Sequence, residues 1–327
     1  CEVEGIKVEL VPLLGNVQHR GRLRAALQAY GVQTVYHAAA YKHVPIVENN
    51  VVEGIENNVL GTWAAAEVAL EEGVELFMLV STDKAVNPTN VMGATKRAAE
   101  MVLQGLQQRS TKTRFAMVRF GNVLASSGSV VPLFQEQIRR GGPVTVTHPD
   151  VIRYFMTIRE AAQLVVQASA MAQGGDVFVL DMGQPVRIVE LARRMIGLLG
   201  HTVRDAANPN GDIEIQFMGL RPAEKLYEEL LIGKNVSGTQ HPMIMRAIEH
   251  MLPWTTVQPV LNRMVEAVRD GDTSRALQLV QGLVVEYRPN LAVHDLLWNA
   301  IAANRSSDGK VKALPARKSK RAGDAPT

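Results

Sequence analysis

Residues 79–97 read LVSTDKAVNPTNVMGATKR, and their order decides the fold. The stretch continues an apolar run from Leu76 to Val80, which reads as a buried strand bounded by turn residues. The strand gives way to Ser81, Thr82, Asp83 and Lys84, a polar cluster too dense for a core. Asn87 and Pro88 make a loop, and Met92-Gly93-Ala94-Thr95-Lys96 opens a helix. In an open parallel sheet, ligands bind outside the carboxyl ends of strands, and the polar cluster occupies such an end. Met92 and Lys96 are four residues apart and share one helical face.

Working outward, strands and helices alternate. VELVPLLGNV (8–17) reads as a strand running into a loop, and Arg20 to Tyr30 as a helix with Leu23, Leu27 and Tyr30 on one side. TVYHAAA (34–40) is a second strand, followed by a polar loop and a helix from about Val52 to Glu72. After the central strand and its helix to about Gln107, FAMVRFGNV (115–123) is the fourth strand. This alternation predicts right-handed crossovers and a doubly wound α/β fold with a parallel sheet. Past Gly141-Gly142-Pro143 the texture changes: VTVTHP and DVFVLDMG read as strands, with helices from Ile158 to Met171 and Ile188 to Leu199. Two more helices, roughly Val257–Val268 and Thr273–Val285, turn at Gly271-Asp272. Beyond Asn304 apolar residues are sparse, which predicts disorder.

Composition excludes several classes. Hydrophobic residues make up 46% and charged residues 20%, a globular balance. No run approaches the roughly 20 apolar residues of a membrane-spanning helix, and the opening CEVEGIKVE is no signal peptide. The single cysteine, Cys1, forms no internal disulfide, which fits a reducing compartment. The net charge of +3 is a property of the tail. Residues 310–321 carry six Lys/Arg and no acid, so the rest sums to 3 − 6 = −3. With aromatics at 5%, no basic, aromatic-interleaved surface for nucleic acid is visible. His37 and His43 have no companion ligand set, so no metal is expected.

The segments HAAAYKHVPIVE (37–48), Asn58 to Thr62, STDKAVNPTNVMGATK (81–96), RFGNVLASSGSVVPLF (119–134), RYFMTIREA (153–161) and LRPAEKLYEELL (220–231) carry a resemblance. Together they resemble the UDP-N-acetylglucosamine 4,6-dehydratases of polysaccharide biosynthesis, extended short-chain dehydrogenases, over about residues 8–290. In that superfamily a Tyr-x-x-x-Lys pair stands at the start of the helix; here the tyrosine position is Met92. The methionine form resembles the large membrane-anchored branch, whose transmembrane helices precede the catalytic domain. The resemblance thus implies a cytoplasmic catalytic domain, joined to the inner membrane only through a segment upstream. A dinucleotide fold opens with a glycine-rich turn that cradles the pyrophosphate, and no G-x-G-x-x-G occurs here. The expectation is that the chain starts at the fold's third strand.

The resemblance implies roles residue by residue. Lys84 is the base at sugar C5, Asp83 the acid at C6, and Thr82 bonds near the C4 oxygen; Lys96 holds the nicotinamide ribose. Methionine cannot take the C4 hydroxyl proton, so that base is unassigned, with Asp83 or a relayed water as candidates. For the cofactor, NAD or NADP, the implied contacts are Asn16 and Val17 near adenine, the small Ala38, Ala39 and Ala40, Lys42, and Asn58, which bends its helix and holds a water. For a UDP-sugar substrate they are Asn122, Arg153, Arg221 and Glu224, two arginines suiting a diphosphate. Two positions depart from the family: Asn16 replaces an aspartate, and Ala223 replaces a glycine and is strained if its φ is positive. The implied domains are a Rossmann-like cofactor domain (1–140), a sugar-nucleotide lobe (141–253), a helical extension (254–304) and a basic tail (305–327). An epimerase or reductase on the same scaffold needs no elimination pair, and a non-catalytic nucleotide-sugar-binding homologue needs none of the chemistry. The homo-oligomeric state stays open.

Overall fold

A computed structural model describes residues 2–3, 6–126, 128–221, 223–229, 236–289 and 295–300. The tail beyond Asn304, read as disordered from its composition, lies outside the described residues, as does Cys1.

Six strands form the main sheet: β1 (Thr34–His37), β2 (Leu76–Val80), β3 (Arg114–Arg119), β4 (Asp176–Leu180), β5 (Val236–Gly238) and β6 (Ile244–Ala247). Their spatial order is β5-β6-β4-β3-β2-β1. β1 to β4 run parallel, with Thr34 opposite Leu76, Leu76 opposite Arg114 and Ala116 opposite Asp176. β6 closes antiparallel on β4. Along β2 and β3 the side chains alternate between two cores, as the pleat requires. Phe77, Leu79, Phe115 and Met117 face one core, and Leu76, Met78, Ala116 and Val118 the other. Burial on both faces is why these strands read as unbroken apolar runs.

The first core is covered by helices α1 (Arg20–Ala29), α2 (Gly61–Glu71) and α3 (Val91–Gln107), backed by the antiparallel pair Trp254–Arg269 and Thr273–Leu283. Trp254 packs on α3 at Gly105, where a Cβ would lie 2.8 Å from the indole ring. The second core is covered by the helix Ile158–Ala170, which starts with a capping box between Thr157 and Glu160. A smaller lobe packs the helices Val130–Arg139 and Ile188–Leu198 on a three-stranded sheet around a third core. Segment 141–253 contributes to both bodies, since β4, β5 and β6 rejoin the main sheet.

Several local expectations are corrected. Residues 8–17 form no strand; they run irregular and exposed, with Leu14 94% accessible. An extended segment becomes a strand only by pairing, and the sheet ends at β1 with no described segment on its outer edge. Tyr30 sits exposed past the end of α1, so only Leu23 and Leu27 pack inward. The helix expected from Val52 to Glu72 is broken into Val51–Ile55, a π turn at Glu56–Leu60, and α2. β1 stops at His37 and β3 at Arg119, each shorter than its apolar run, because the chain leaves the sheet at the site.

Candidate active site

The dyad turn is built by three constraints. Beyond β2, the Ser81 and Asp83 N–H groups donate to Val118 and Phe120 O, which carries the chain along the end of β3. Asp83–Ala85 then make one 3₁₀ turn capped by Thr82, whose Oγ1 accepts from the Lys84 N–H. α3 starts at once, with the Asn90 side chain accepting from the Gly93 N–H at 2.8 Å. A Cβ at Gly93 would lie 2.1 Å from Lys84 O, so glycine is what lets the helix press against the turn. Gly121 does the same on the other side: its Cβ would meet Asp83 Oδ2 at 3.2 Å.

Lys84 Nζ donates to Asp83 Oδ1 at 3.0 Å and to Asn122 Oδ1 at 3.5 Å, and lies 3.4 Å from Glu228 Oε1. Thr82 Oγ1 donates to the same Asp83 oxygen at 2.8 Å. Burial pushes the Lys84 ammonium down, but the Asp83 and Glu228 carboxylates more than offset it, and its pKa is raised. Lys96 is the opposite case. Its Nζ donates to Val80 O at 2.8 Å, and burial, opposed by Glu100, lowers it to about 8. Two lysines on one site are thus tuned in opposite directions.

A cleft of about 480 Å³ opens between the main sheet and the lobe. Thr82, Lys84, Met92, Lys96, Ala38, Ala40, Lys42, Asn122, Arg153, Arg221 and Glu224 all line it. Asp83 lies behind this wall with its side chain 4% exposed, in contact with the cleft's own Thr82, Lys84 and Gly121. Met92 belongs to both the first core and the lining. Asn58 lies deeper, in the π turn. Its carboxamide accepts from the Tyr41 N–H at 2.7 Å and donates to Tyr41 O and Thr95 Oγ1 at 3.0 Å each, so it fixes the loop after Ala40. The π turn at this position interrupts the helix. Asn16, Val17 and Ala39 are not brought to the cleft. Asn16 instead turns the chain toward α1, with its side-chain oxygen accepting from the Gln18 N–H, and Val17 packs over Gly61.

Arg153 is already engaged. Its guanidinium donates to Ile152, Leu226 and Lys225 carbonyls and to Glu224, which ties strand Ile152–Arg153 to the segment 224–228. Glu224 also accepts from Thr147 Oγ1 and the Arg221 N–H. The Arg221 side chain, by contrast, is exposed at the cleft. Ala223 adopts φ +61°, the strained geometry expected where the family carries glycine. His37 is buried, and burial first, then Lys96, hold it near 4, so it stays neutral. The Thr62 hydroxyl donates to Asn58 O, so His37 Nε2 is the donor toward Thr62 at 3.0 Å.

Sequence reasoning missed two features. One is Glu228, four residues past Glu224 in a run already singled out. The other is a sealed ion cluster beside the dyad. Glu100 receives Arg119 at 2.5 Å, Arg97 at 3.2 Å and the Ser81 hydroxyl at 2.6 Å. Arg119 continues to Glu249 at 2.5 Å and Arg97 to Glu286 at 2.8 Å, which pins the helical extension to α3. The available signal was Arg97 and Glu100 at i, i+3, a spacing that ordinarily marks a solvated helix face.

A doubly wound α/β sheet with a polar turn at one strand mouth and a lysine on the helix behind it defines a Rossmann-like protein of the dehydrogenase type. The profile of the family described as "Polysaccharide biosynthesis protein" matches residues 1–249, and the chain belongs to that family. The capsular polysaccharide biosynthesis protein CapD of Staphylococcus aureus is 57% identical over 227 residues, 69% of this chain and 37% of CapD. The chain therefore spans well under half of that relative. Among solved structures, Pen from Bacillus thuringiensis superposes with a TM-score of 0.63 at 30% identity, over 76% of this chain and 80% of that one. DesIV, a dTDP-glucose 4,6-dehydratase from Streptomyces venezuelae with NAD and TYD bound, shares the fold with a TM-score of 0.58 at 20% identity, over 66% and 69% of the chains. Among the described residues no helix is long and apolar enough to cross a membrane.

Proposed function

We propose that the protein is a nucleotide-sugar 4,6-dehydratase that converts UDP-N-acetylglucosamine to its 4-keto-6-deoxy product for polysaccharide or glycan synthesis, with NAD or NADP as a returned cofactor. The observation that carries this reading is the Asp83–Lys84 pair, 3.0 Å apart at the mouth of β2 beside a cleft of nucleotide-sugar size. An elimination needs a base and an acid side by side, and an epimerase or reductase does not.

The residues present fit the nicotinamide end of a dinucleotide. Ala38 and Ala40 leave room on the wall, and Lys96 stands at the same wall, held by Val80 O. Those residues would hold the ribose and ring, and the bound cofactor supplies hydride acceptance at C4 and its return at C6. Transfer of one proton from Lys84 Nζ to Asp83 Oδ1 turns the ion pair into a neutral amine and a neutral acid, with no change in net charge. Lys84 then takes the C5 proton, the C–H pair forms the C5–C6 double bond, and the C6 hydroxyl leaves as water with the Asp83 proton. The ion pair is then restored, Lys84 returns a proton to C5 as C6 is reduced, and the proton released from the C4 hydroxyl recharges the amine. Thr82, already bonded to Asp83, orients that carboxyl. Arg221, with Asn122 and Glu224, is offered to the nucleotide. The resemblance to the anchored branch extends the proposal to a full-length protein working at the cytoplasmic face of a membrane.

The test uses full-length protein with the UDP-sugar in deuterated water. Lys84→Ala abolishes C5 exchange and product while cofactor stays bound, and Asp83→Asn slows elimination by about 10²–10⁴. Normal turnover by Lys84→Ala removes it as the base. C4 inversion without C5 exchange makes the protein an epimerase, and nucleotide binding without turnover makes it a non-catalytic homologue.

A further inference from the structure

Glu228 is a buried carboxylate of the site whose side chain holds no backbone group among the described residues. The cleft's Glu224, by contrast, accepts from the Arg221 N–H. The Glu228 side chain is 4% exposed, yet the groups it faces are two cations, Lys84 and Arg153. Its Oε1 lies 3.4 Å from Lys84 Nζ and 3.8 Å from Arg153 Nε, while Oε2 is buried with no hydrogen-bond partner among the described residues. A buried carboxylate costs several kcal/mol, on the order of what good pairing returns, so one kept in this position is held by the charges it faces.

We propose that Glu228 is a positioning residue of the dyad, a second counter-charge that holds Lys84 Nζ together with Asp83 and links it to the buried Arg153. This rests on Asp83 and Lys84 being the acid–base pair. The charged groups around Lys84 are Asp83 on its own turn, and Glu228 and Arg153 from the lobe side; Asn122 adds a neutral amide oxygen. Asp83 alone would make a closed pair with Lys84; Glu228 sets a second carboxylate on the lysine, and Arg153 balances it, so the four charges sum to zero. The Glu228 charge favours the ammonium that Lys84 becomes when it takes a proton and, opposed by Arg153, helps raise the Lys84 pKa. Arg153, held by the carbonyls of Ile152, Lys225 and Leu226, shares the same Glu228 oxygen and so fixes that carboxylate on the lysine.

The decisive experiment needs no substrate. Full-length protein is reductively methylated with formaldehyde and borane across a pH series, and labelling of Lys84 is followed by peptide mass spectrometry. Only the unprotonated amine reacts. Glu228→Gln removes one nearby negative charge and moves the Lys84 midpoint to lower pH by about one unit, so labelling below the midpoint is about tenfold faster. Glu228→Asp keeps the charge and brings the midpoint back toward wild type. In turnover assays the kcat–pH profile of Glu228→Gln moves in the same direction, whereas a merely structural loss lowers it without moving it. A Lys84 labelling profile identical in wild type and Glu228→Gln overturns the proposal. If Glu228→Gln does not fold, Glu228→Ala takes its place, and failure of both to fold assigns Glu228 to the core and also overturns it. A shifted labelling profile in a protein with no dehydratase activity keeps the inference and discards the reaction.

Discussion

Two groups of charge flank the start of α3, and they are built in opposite ways. Around Glu100, the arginines Arg97 and Arg119 and the hydroxyl of Ser81 close every side, and the three charged side chains are at most 1% exposed. Around Lys84, pairing is looser: one oxygen at 3.0 Å, two more at 3.4–3.5 Å, and a lysine 19% exposed at a cleft. The first group has spent its charges on one another and joins β3, α3 and the helical extension. The second leaves Lys84 at the wall of the cleft. Saturated charge holds a structure together, and under-saturated charge at a surface is available for chemistry.

The largest test of that contrast is Glu100→Gln. Removing Glu100 takes from Arg97 and Arg119 the buried carboxylate they share, leaving them only outer carboxylates, so unfolding free energy should fall by about 3–5 kcal/mol in a urea titration. A loss of under about 1 kcal/mol would mean the cluster is no tighter than a surface pair.

Next comes Lys96, which sits between the two groups. Its folded pKa, about 8, is below the ordinary 10.5. Between those values the unfolded chain holds more protons than the folded one, so stability rises with pH across the window; below pH 8 both states are protonated and the penalty is constant. The span corresponds to roughly 3 kcal/mol. Lys96→Met should abolish that rise, which denaturation at pH 7.5 and pH 10.5 would reveal as a difference from wild type.

Met92 probes the lining itself. Met92→Leu preserves volume and should cost no more than about 1.5 kcal/mol, with most turnover kept. Loss of turnover in a folded Met92→Leu protein would show that the thioether touches the reacting atoms.

The smallest effect is at Ala223, with φ +61° in the segment that carries Glu224 and Glu228. Glycine relieves the left-handed strain but loosens the unfolded chain, for a net gain of about 0.5–1 kcal/mol, readable as a higher melting temperature. No gain would place the strain elsewhere.

Much of the dyad end was legible because it is local. Thr82, Asp83, Lys84, Met92 and Lys96 lie within fifteen residues, on a strand, a turn and a helix whose periods are visible in sequence. Ala223 was legible for the same reason, since a missing glycine speaks for its own φ. The segment 8–17 misled because a strand is defined by its neighbour, and its apolar residues found none.

The sequence by itself determined the alternation of strand and helix, the polar turn at the end of β2, and the lysine one helical turn past Met92. Only the tertiary structure decided which acids and bases meet. Glu228 is 144 residues from Lys84, and Glu249 and Glu286 are 130 and 189 residues from the arginines they bond. Arg97 and Glu100 carry an i, i+3 spacing that is the same whether the helix faces water or protein. Burial converts that pair from a weak solvated contact into a sealed junction, because the cost of taking a charge out of water, and the strength of the pairing that repays it, depend on everything packed around it.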